Sequence, residues 1–348
     1  MERYVKFKDF IRNYREMKFK DYKSLLLNNA IYIFMLGLLI VLVAFEPNLL
    51  GLRPLGSILE QSATKLFFAM AVGMIIITQG TDLSVGRIVG LVAVISASLL
   101  QISGVFFPGS TGMNFMLVIP IAMIIGALCS VVNAIFISKL EIDPFIATLG
   151  SSLVFYGLIQ WYYLSPETAQ PIGDFARSFI DFVNQPFLKL GDLVIKNVVV
   201  YSLIGVVFSY VVWYKTKLGR NMYAIGGNKE AAIVSGINYT VTLISVFAIA
   251  GALYGLGAVL EVGRVGSVTT AFGFGYELDA IAACIVGGIS FNGGIGKLRG
   301  VVAGVLLFTV ISYGMTFVGW PPQFQNILKG LIIVIAVAID SRKYRKHK

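Results

Sequence analysis

The chain has 348 residues, 57% hydrophobic and only 13% charged, with a formal net charge of +10 and a mean hydropathy of +0.82. A soluble domain carries roughly 25% charged residues, so this chain lacks the polar side chains to coat a water-soluble globule, and the same apolar excess excludes disorder. Cys129 and Cys284 lie in apolar runs and the one histidine, His347, is next to last, which excludes a disulfide framework, a metal cluster and chemistry built on a buried imidazole.

The sequence reads as an all-α integral membrane protein. Its positive charge sits at the ends: eight Lys/Arg lie between Arg3 and Lys23, and Arg342, Lys343, Arg345, Lys346 and Lys348 close the chain. Nucleic acid binding would want basic residues spread over a folded face, so no nucleic acid partner is expected. In residues 1–28, Phe7, Phe10, Ile11 and Tyr14 recur at helical spacing among basic residues, as in a helix lying on an anionic membrane surface. A solvated basic tail is the alternative. Val43-Ala44-Phe45-Glu46-Pro47 offers no small-residue cleavage site, so the start is not expected to be a cleaved signal.

A spanning helix needs about 20 mostly apolar residues. Ten such segments follow in the membrane region 29–340: 29–46, 62–79, 87–107, 114–138, 145–164, 197–214, 240–260, 278–292, 300–319 and 324–340. The eighth is short and glycine-rich. Ten spans put both termini on one side, and placing them in the cytoplasm assigns 21 Lys/Arg there against 6 outside, with Lys329 inside the last span. That asymmetry is the positive-inside pattern. The tail 341–348 is then cytoplasmic.

Between the second and third spans, Thr78-Gln79-Gly80-Thr81-Asp82-Leu83-Ser84-Val85-Gly86-Arg87 packs six polar side chains and two glycines into almost no connecting length. Two readings fit. Gln79, Asp82 and Ser84 offer groups to a hydroxylated solute along a polar path, with Asn133 a lesser candidate in the fourth span. Alternatively the stretch is a tight cytoplasmic turn in which Asp82 caps the next helix and pairs with Arg87. The only long outer segment is 165–196, either a docking surface for an extracytoplasmic partner or a cap over the bundle.

The largest internal cytoplasmic loop is 215–238. Gly226-Gly227-Asn228 reads as a turn, and Lys229 to Ser235 as a short exposed helix ended by Gly236. Small residues and one acid on such a helix suit a knob that fits a partner's groove. Further on, Glu277 and Asp279 open the eighth span, where they complement the helix dipole. Two residues apart, they face different sides of the helix, so they make no acid–base pair, and no enzyme activity is expected. Glu277 and Asn292 join the candidate path. Gly296, Gly300 and Gly304 repeat every fourth residue and predict a smooth ridge for close helix packing. A phosphate-binding loop is excluded, because Phe291 and Leu298 stand where its first Gly and its Ser/Thr should be around Gly296-Lys297. Lys329 reads as a cation near a span end, and Trp213 as part of an interfacial aromatic belt.

Glu230-Ala231-Ala232, three residues, then Gly236 resembles the EAA signature of importer permeases of the ATP-binding cassette class. With NMYAIGGNKEAAIVSGIN around it, TQGTDLSVGR from Thr78, DPFIATLG from Asp143 and ELDAIAACIVGGISFNGGIGKLRG from Glu277, the chain is similar to the monosaccharide branch (ribose, xylose, galactose) of these permeases. The resemblance implies a type II, vitamin B12 importer-like bundle in the bacterial inner membrane, paired with a second copy of itself around a central pathway. Asn228, Glu230, Ala231, Ala232, Ser235 and Gly236 would dock on a cytoplasmic ATPase. That partner would hold ATP and Mg, leaving this chain without a cofactor or metal of its own. An extracytoplasmic sugar-binding protein would deliver the monosaccharide. Thr78 to Asp82 and Cys284 favour a galactoside member; glucose, ribose or xylose are alternatives, as is a stand-alone secondary transporter or channel.

Overall fold

The computed structural model describes residues 30–102, 112–163 and 171–345. The basic segment 1–28, with its predicted surface helix, lies outside them, as do residues 346–348. A helix lies in each predicted apolar segment: α1 (Ala30–Phe45), α2 (Leu52–Ile77), α3 (Val85–Leu100), α4 (Phe115–Lys139), α5 (Pro144–Tyr163), α7 (Asn197–Lys215), α10 (Tyr239–Val265), α11 (Tyr276–Val286), α12 (Leu298–Phe317) and α13 (Pro322–Arg345). Six of these, α2, α4, α5, α7, α10 and α12, are long and apolar enough to cross a membrane. Three shorter helices are α6 (Arg177–Asn184), α8 (Lys217–Gly227) and α9 (Lys229–Val234).

The fold is not purely helical. Within the long segment 165–196, β1 (Pro186–Leu190) and β2 (Leu193–Lys196) form an antiparallel hairpin turning at Gly191 (φ +60°). The hairpin leans on the start of α2, where Gly56 lets the Val194 carbonyl approach. It marks one end of the bundle, and α8 and α9 mark the other.

α2 is the central post, with 83% of its most apolar window buried against 22% in α4. It begins at Leu52, ten residues before the expected start. Arg53, Glu60 and Gln61 dilute hydropathy there, and their charges are met locally: Glu60 pairs with Lys196 at 2.8 Å and Arg53 with Asp192 at 3.2 Å. In lipid, helices associate through close packing rather than through release of water. α4 and α10 accordingly meet backbone to backbone, and a Cβ on Gly251 would lie 2.2 Å from the Gly126 carbonyl oxygen.

α11 covers only 11 residues and ends at Val286. The rest of the predicted eighth span is a glycine-rich loop in which Gly288, Gly293 and Gly294 all have positive φ. α11 packs on α12 where Gly300 abuts the Gly287 carbonyl and Gly304 the Ala283 carbonyl, each within 2.0 Å of where a Cβ would stand. Gly296 lies before the first turn of α12, against the Ile289 side chain, so the expected three-glycine ridge is two glycines and a loop residue.

Candidate functional site

Asp82, Ser84 and Asn133 are brought together, and all three are completely buried. The Ser84 backbone N–H donates to Asp82 Oδ1 at 2.9 Å and its hydroxyl to the same oxygen at 2.5 Å; Tyr254 Oη, from the middle of α10, donates to Asp82 Oδ2 at 3.1 Å. Asn133 Nδ2 donates to Ser84 Oγ at 2.8 Å. Thr148 of α5 completes the cage, accepting from Leu83 N at 3.1 Å and donating to the Thr81 carbonyl at 3.2 Å. The stretch 81–84 is therefore no surface turn. It is irregular backbone folded into the bundle and covered by α4, α5 and α10, the condition under which such backbone survives at membrane depth. Tyr254 and Thr148 were not singled out from sequence; Thr148 lay in plain view inside the DPFIATLG motif.

Arg87 does not pair with Asp82. Its guanidinium lies over the Tyr156 ring at 4.1 Å and the Phe274 ring at 5.2 Å. Glu277 is beside it: a Cβ on Gly86 would fall 2.1 Å from Glu277 Oε2, so only glycine at 86 admits that carboxylate. Asp279, two residues on, faces away from Glu277 and into the bundle.

There it joins an ionic cluster that sequence reading missed. Asp279 pairs with Lys329 at 2.7 Å and Lys65 at 3.8 Å, so Lys329 is a partnered residue rather than a cation reaching for a span end. On α10, Glu261 is 2% exposed. It accepts from Arg264 through two 2.7 Å bonds, from Thr64 at 2.8 Å and from Tyr276 at 2.9 Å. Charges at this depth are tolerated when paired and hydrogen-bonded. The 3-residue spacing of Glu261 and Arg264 was the one available clue; the separation of 264 positions between Lys65 and Lys329 hid the rest.

At the opposite end, Gln79 (φ +63°) is exposed and bonds through Nε2 to the Gly226 carbonyl at 3.0 Å. It is thus separate from the Asp82 cage and belongs with the 215–238 loop. Asn292, also exposed, is in the glycine-rich loop beside it, where Gly293 packs on Gln79. Gly226 is not in a turn but in the last turn of α8, pressed so close to α2 that a Cβ would stand 1.7 Å from the Ile77 carbonyl oxygen. Gly294 N–H donates to that same carbonyl at 2.9 Å. Three chain segments therefore meet here by backbone alone.

α9 projects from this junction. Asn228 caps it by accepting from Ala231 N at 2.8 Å, Ser235 Oγ bonds back to the Ala231 carbonyl at 2.8 Å, and Gly236 (φ +85°) turns the chain away. Only Ala232 is buried; Val234 is 88% exposed, and Glu230 and Ala231 also face outward. Beside it lies an open cleft of about 460 Å3 lined by residues that include Lys217, Asn221, Gly236 and Ser245. Trp213, expected in an interfacial belt, is instead buried against Gly73. No cluster of three or more His, Cys, Asp or Glu able to hold a metal occurs among the described residues.

Comparison with known proteins gives this architecture a family. Residues 55–337 match the family described as branched-chain amino acid transport system / permease component. The chain is 46% identical over 332 residues to the galactose/methyl galactoside import permease protein MglC of Escherichia coli (strain K12), covering 94% of this chain and 98% of that protein. It is 31% identical over 324 residues to the ribose import permease protein RbsC of the same strain, covering 92% and 96%. It is 35% identical over 285 residues to the fructose import permease protein FrcC of Rhizobium meliloti, covering 81% and 76%. No solved structure matches it. The chain belongs to this permease family and is a multi-pass membrane protein.

Proposed function

We propose that the chain is the membrane-spanning subunit of an ATP-driven monosaccharide importer of the bacterial inner membrane, with galactose or methyl galactoside as its cargo. The observation that carries the cargo is the 46% identity, over nearly the whole of both chains, to a galactose/methyl galactoside import permease, against 31% to the ribose relative. Ten passes with both termini cytoplasmic agree with the distribution of Lys and Arg. Two copies enclose the pathway, a sugar-binding protein feeds it from outside, and hydrolysis of MgATP takes place on a cytoplasmic ATPase that grips α9. This chain supplies no catalytic group and no cofactor site.

In this reading Asn228, Glu230, Ala231, Ala232, Ser235 and Gly236 form the docking helix and its caps. A helix of six residues, exposed on all sides but one and tethered at both ends, serves poorly as packing and well as a coupling knob. Gln79, Glu277 and Asn292, which keep exposed or half-exposed side chains, line the path. Asp82, Ser84 and Asn133 act on it indirectly, by bracing the segment that carries them.

The test is sugar uptake by proteoliposomes holding this chain, its ATPase partner and its sugar-binding protein. Wild type should accumulate galactose in an ATP-dependent manner and prefer it to ribose. Replacing Glu230→Lys together with Gly236→Trp should abolish accumulation while the chain still inserts. Accumulation by the permease alone, or undiminished transport in the double variant, contradicts the reading.

A further inference from the structure

Arg87, Tyr156, Phe274 and Glu277 come together from three parts of the chain, and neither the docking helix nor the buried cages account for them. α3 is pinned at the hairpin end by the bridge between Gln101 and Phe175. At 1.5 Å per residue, Arg87 lies about 21 Å along the helix from Gln101. Measured from the outer segment, that is about two thirds of the way across a hydrocarbon layer of about 30 Å. The segment between α10 and α11 dips to meet it: the Gly273 carbonyl abuts Gly86, and the Phe272 carbonyl abuts Gly90.

At that depth an ionisable side chain faces protein or a water-filled passage, not lipid. Arg87 and Glu277 are only half-buried, and Phe274, one ring of the Arg87 stack, is 68% exposed. On the importer reading, the open side of the cluster faces the passage. Its chemistry is that of a carbohydrate contact: a carboxylate and a guanidinium in reach of ring hydroxyls, next to aromatic faces that accept the apolar C–H side of a pyranose. Sites for small polar ligands combine aromatic walls with a few placed polar groups in this way. Stacking between two rings also fixes the guanidinium plane, so its N–H groups project in a set direction.

We propose that Arg87, Tyr156, Phe274 and Glu277 form the sugar-contacting station of the passage, where a pyranose bonds through its hydroxyls to Glu277 and Arg87 while one face rests on Phe274. This rests on the importer reading above and adds to it where the cargo is touched and what selects it. A station of this kind sets transport and sugar preference without taking part in ATPase docking.

The experiment uses the complete importer in proteoliposomes, with three readouts: galactose uptake, the ratio of galactose to ribose taken up from a mixture, and ATP hydrolysis stimulated by the loaded binding protein. Glu277→Gln should lower galactose uptake roughly tenfold or more, the scale expected for loss of a charge-assisted hydrogen bond, and Phe274→Ala, which removes the stacking face, should lower it severalfold. Both should shift the sugar ratio and leave stimulated hydrolysis within about twofold of wild type. Phe274→Trp, which keeps an aromatic face, should restore uptake. Because Phe274 is exposed, its truncation leaves the packed interior untouched, so that variant decides the matter even if Glu277→Gln fails to assemble. A wild-type complex that transports, with uptake and sugar ratio unchanged in Phe274→Ala, overturns this inference alone. A wild-type complex that moves no sugar overturns the importer reading and this station with it.

Discussion

Gly226 offers the sharpest test of the packing described above. A methyl group there would sit 1.7 Å from the Ile77 carbonyl oxygen and 2.5 Å from Gly294 N. Ordinary contact begins near 3.4 Å, so α8 and the end of α2 would have to part by about 1.7 Å, with loss of the Gly294–Ile77 hydrogen bond. Overpacking costs about 1–3 kcal/mol where side chains can yield, and the top of that range or more is expected here, where the obstacle is backbone. From about 2.1 cal/mol/K per residue, a chain of this size shifts by roughly 1.4 °C per kcal/mol, so Gly226→Ala should melt at least about 4 °C below wild type in detergent. The adjacent Gly227→Ala is the control: nothing lies within 4 Å of its added Cβ. Alanine there should be neutral or slightly stabilising through helix propensity. Equal melting temperatures for the two variants would refute the contact. In the reconstituted importer Gly226→Ala should also depress uptake more than Gly227→Ala, because it moves α8, from which the proposed docking helix α9 projects.

Other substitutions probe the remaining clusters. Glu261→Ala leaves Arg264 buried without its carboxylate and should cost about 3–5 kcal/mol, read as a lowered melting temperature; Glu261→Gln, whose single amide oxygen can still accept from Thr64 or from Tyr276, should cost less. Ser84→Ala removes a donor to Asp82 and strands Asn133 Nδ2, and a loss of about 1–3 kcal/mol is expected; an unchanged melting curve would mean the cage is not closed. Gly236→Val should uncouple hydrolysis from uptake, since a β-branched residue resists φ +85°, whereas Gly236→Asn, which tolerates that conformation, should retain coupling. Arg53→Ala is expected to be silent to within about 0.5 kcal/mol, because its ion pair with Asp192 is largely exposed.

The helical apolar segments were legible because twenty apolar residues in a row admit few other meanings. What the sequence concealed were the features whose parts lie far apart along it. The first ten residues of α2 were missed because Glu60 and Arg53 lower hydropathy, and their partners, Lys196 and Asp192, come from a hairpin more than 130 residues later. The eighth span was read as one helix because glycine counts as neutral in a hydropathy average, although repeated positive φ ends a helix. The glycine ridge at Gly300 and Gly304 was visible as a spacing, whereas the tighter Gly126–Gly251 contact was not, since each member stands on a different helix. The Asp82 cage shows the same limit: its polar groups at 82 and 84 announced themselves, but Thr148 and Tyr254 carry no local signal that they close it.

These contacts bear on how a push at α9 could reach the passage. α9 is joined through Asn228 to α8, and α8 touches α2 and the loop before α12 through Gly226, Ile77 and Gly294, with no intervening side chain. Side chains can absorb a displacement by changing rotamer; backbone in contact cannot, and packed interiors pass small shifts on rather than damping them. Only five residues beyond Ile77, Asp82 is held by α10 and, through Ser84, by α4, while Leu83 bonds to α5. A movement delivered at the end of α2 must therefore either bend the stretch from Thr78 to Thr81 or carry the cage with it, and Arg87, one turn into α3, follows the cage. Stiffening that stretch separates the two routes. Gly80→Ala would press on the Ile75 carbonyl oxygen at 3.1 Å and the Ile75 side chain at 2.9 Å, hindering a bend while leaving the cage intact. If the cage travels as a unit, uptake by this variant should stay near wild type; if the stretch is the hinge, uptake should fall while stimulated hydrolysis persists.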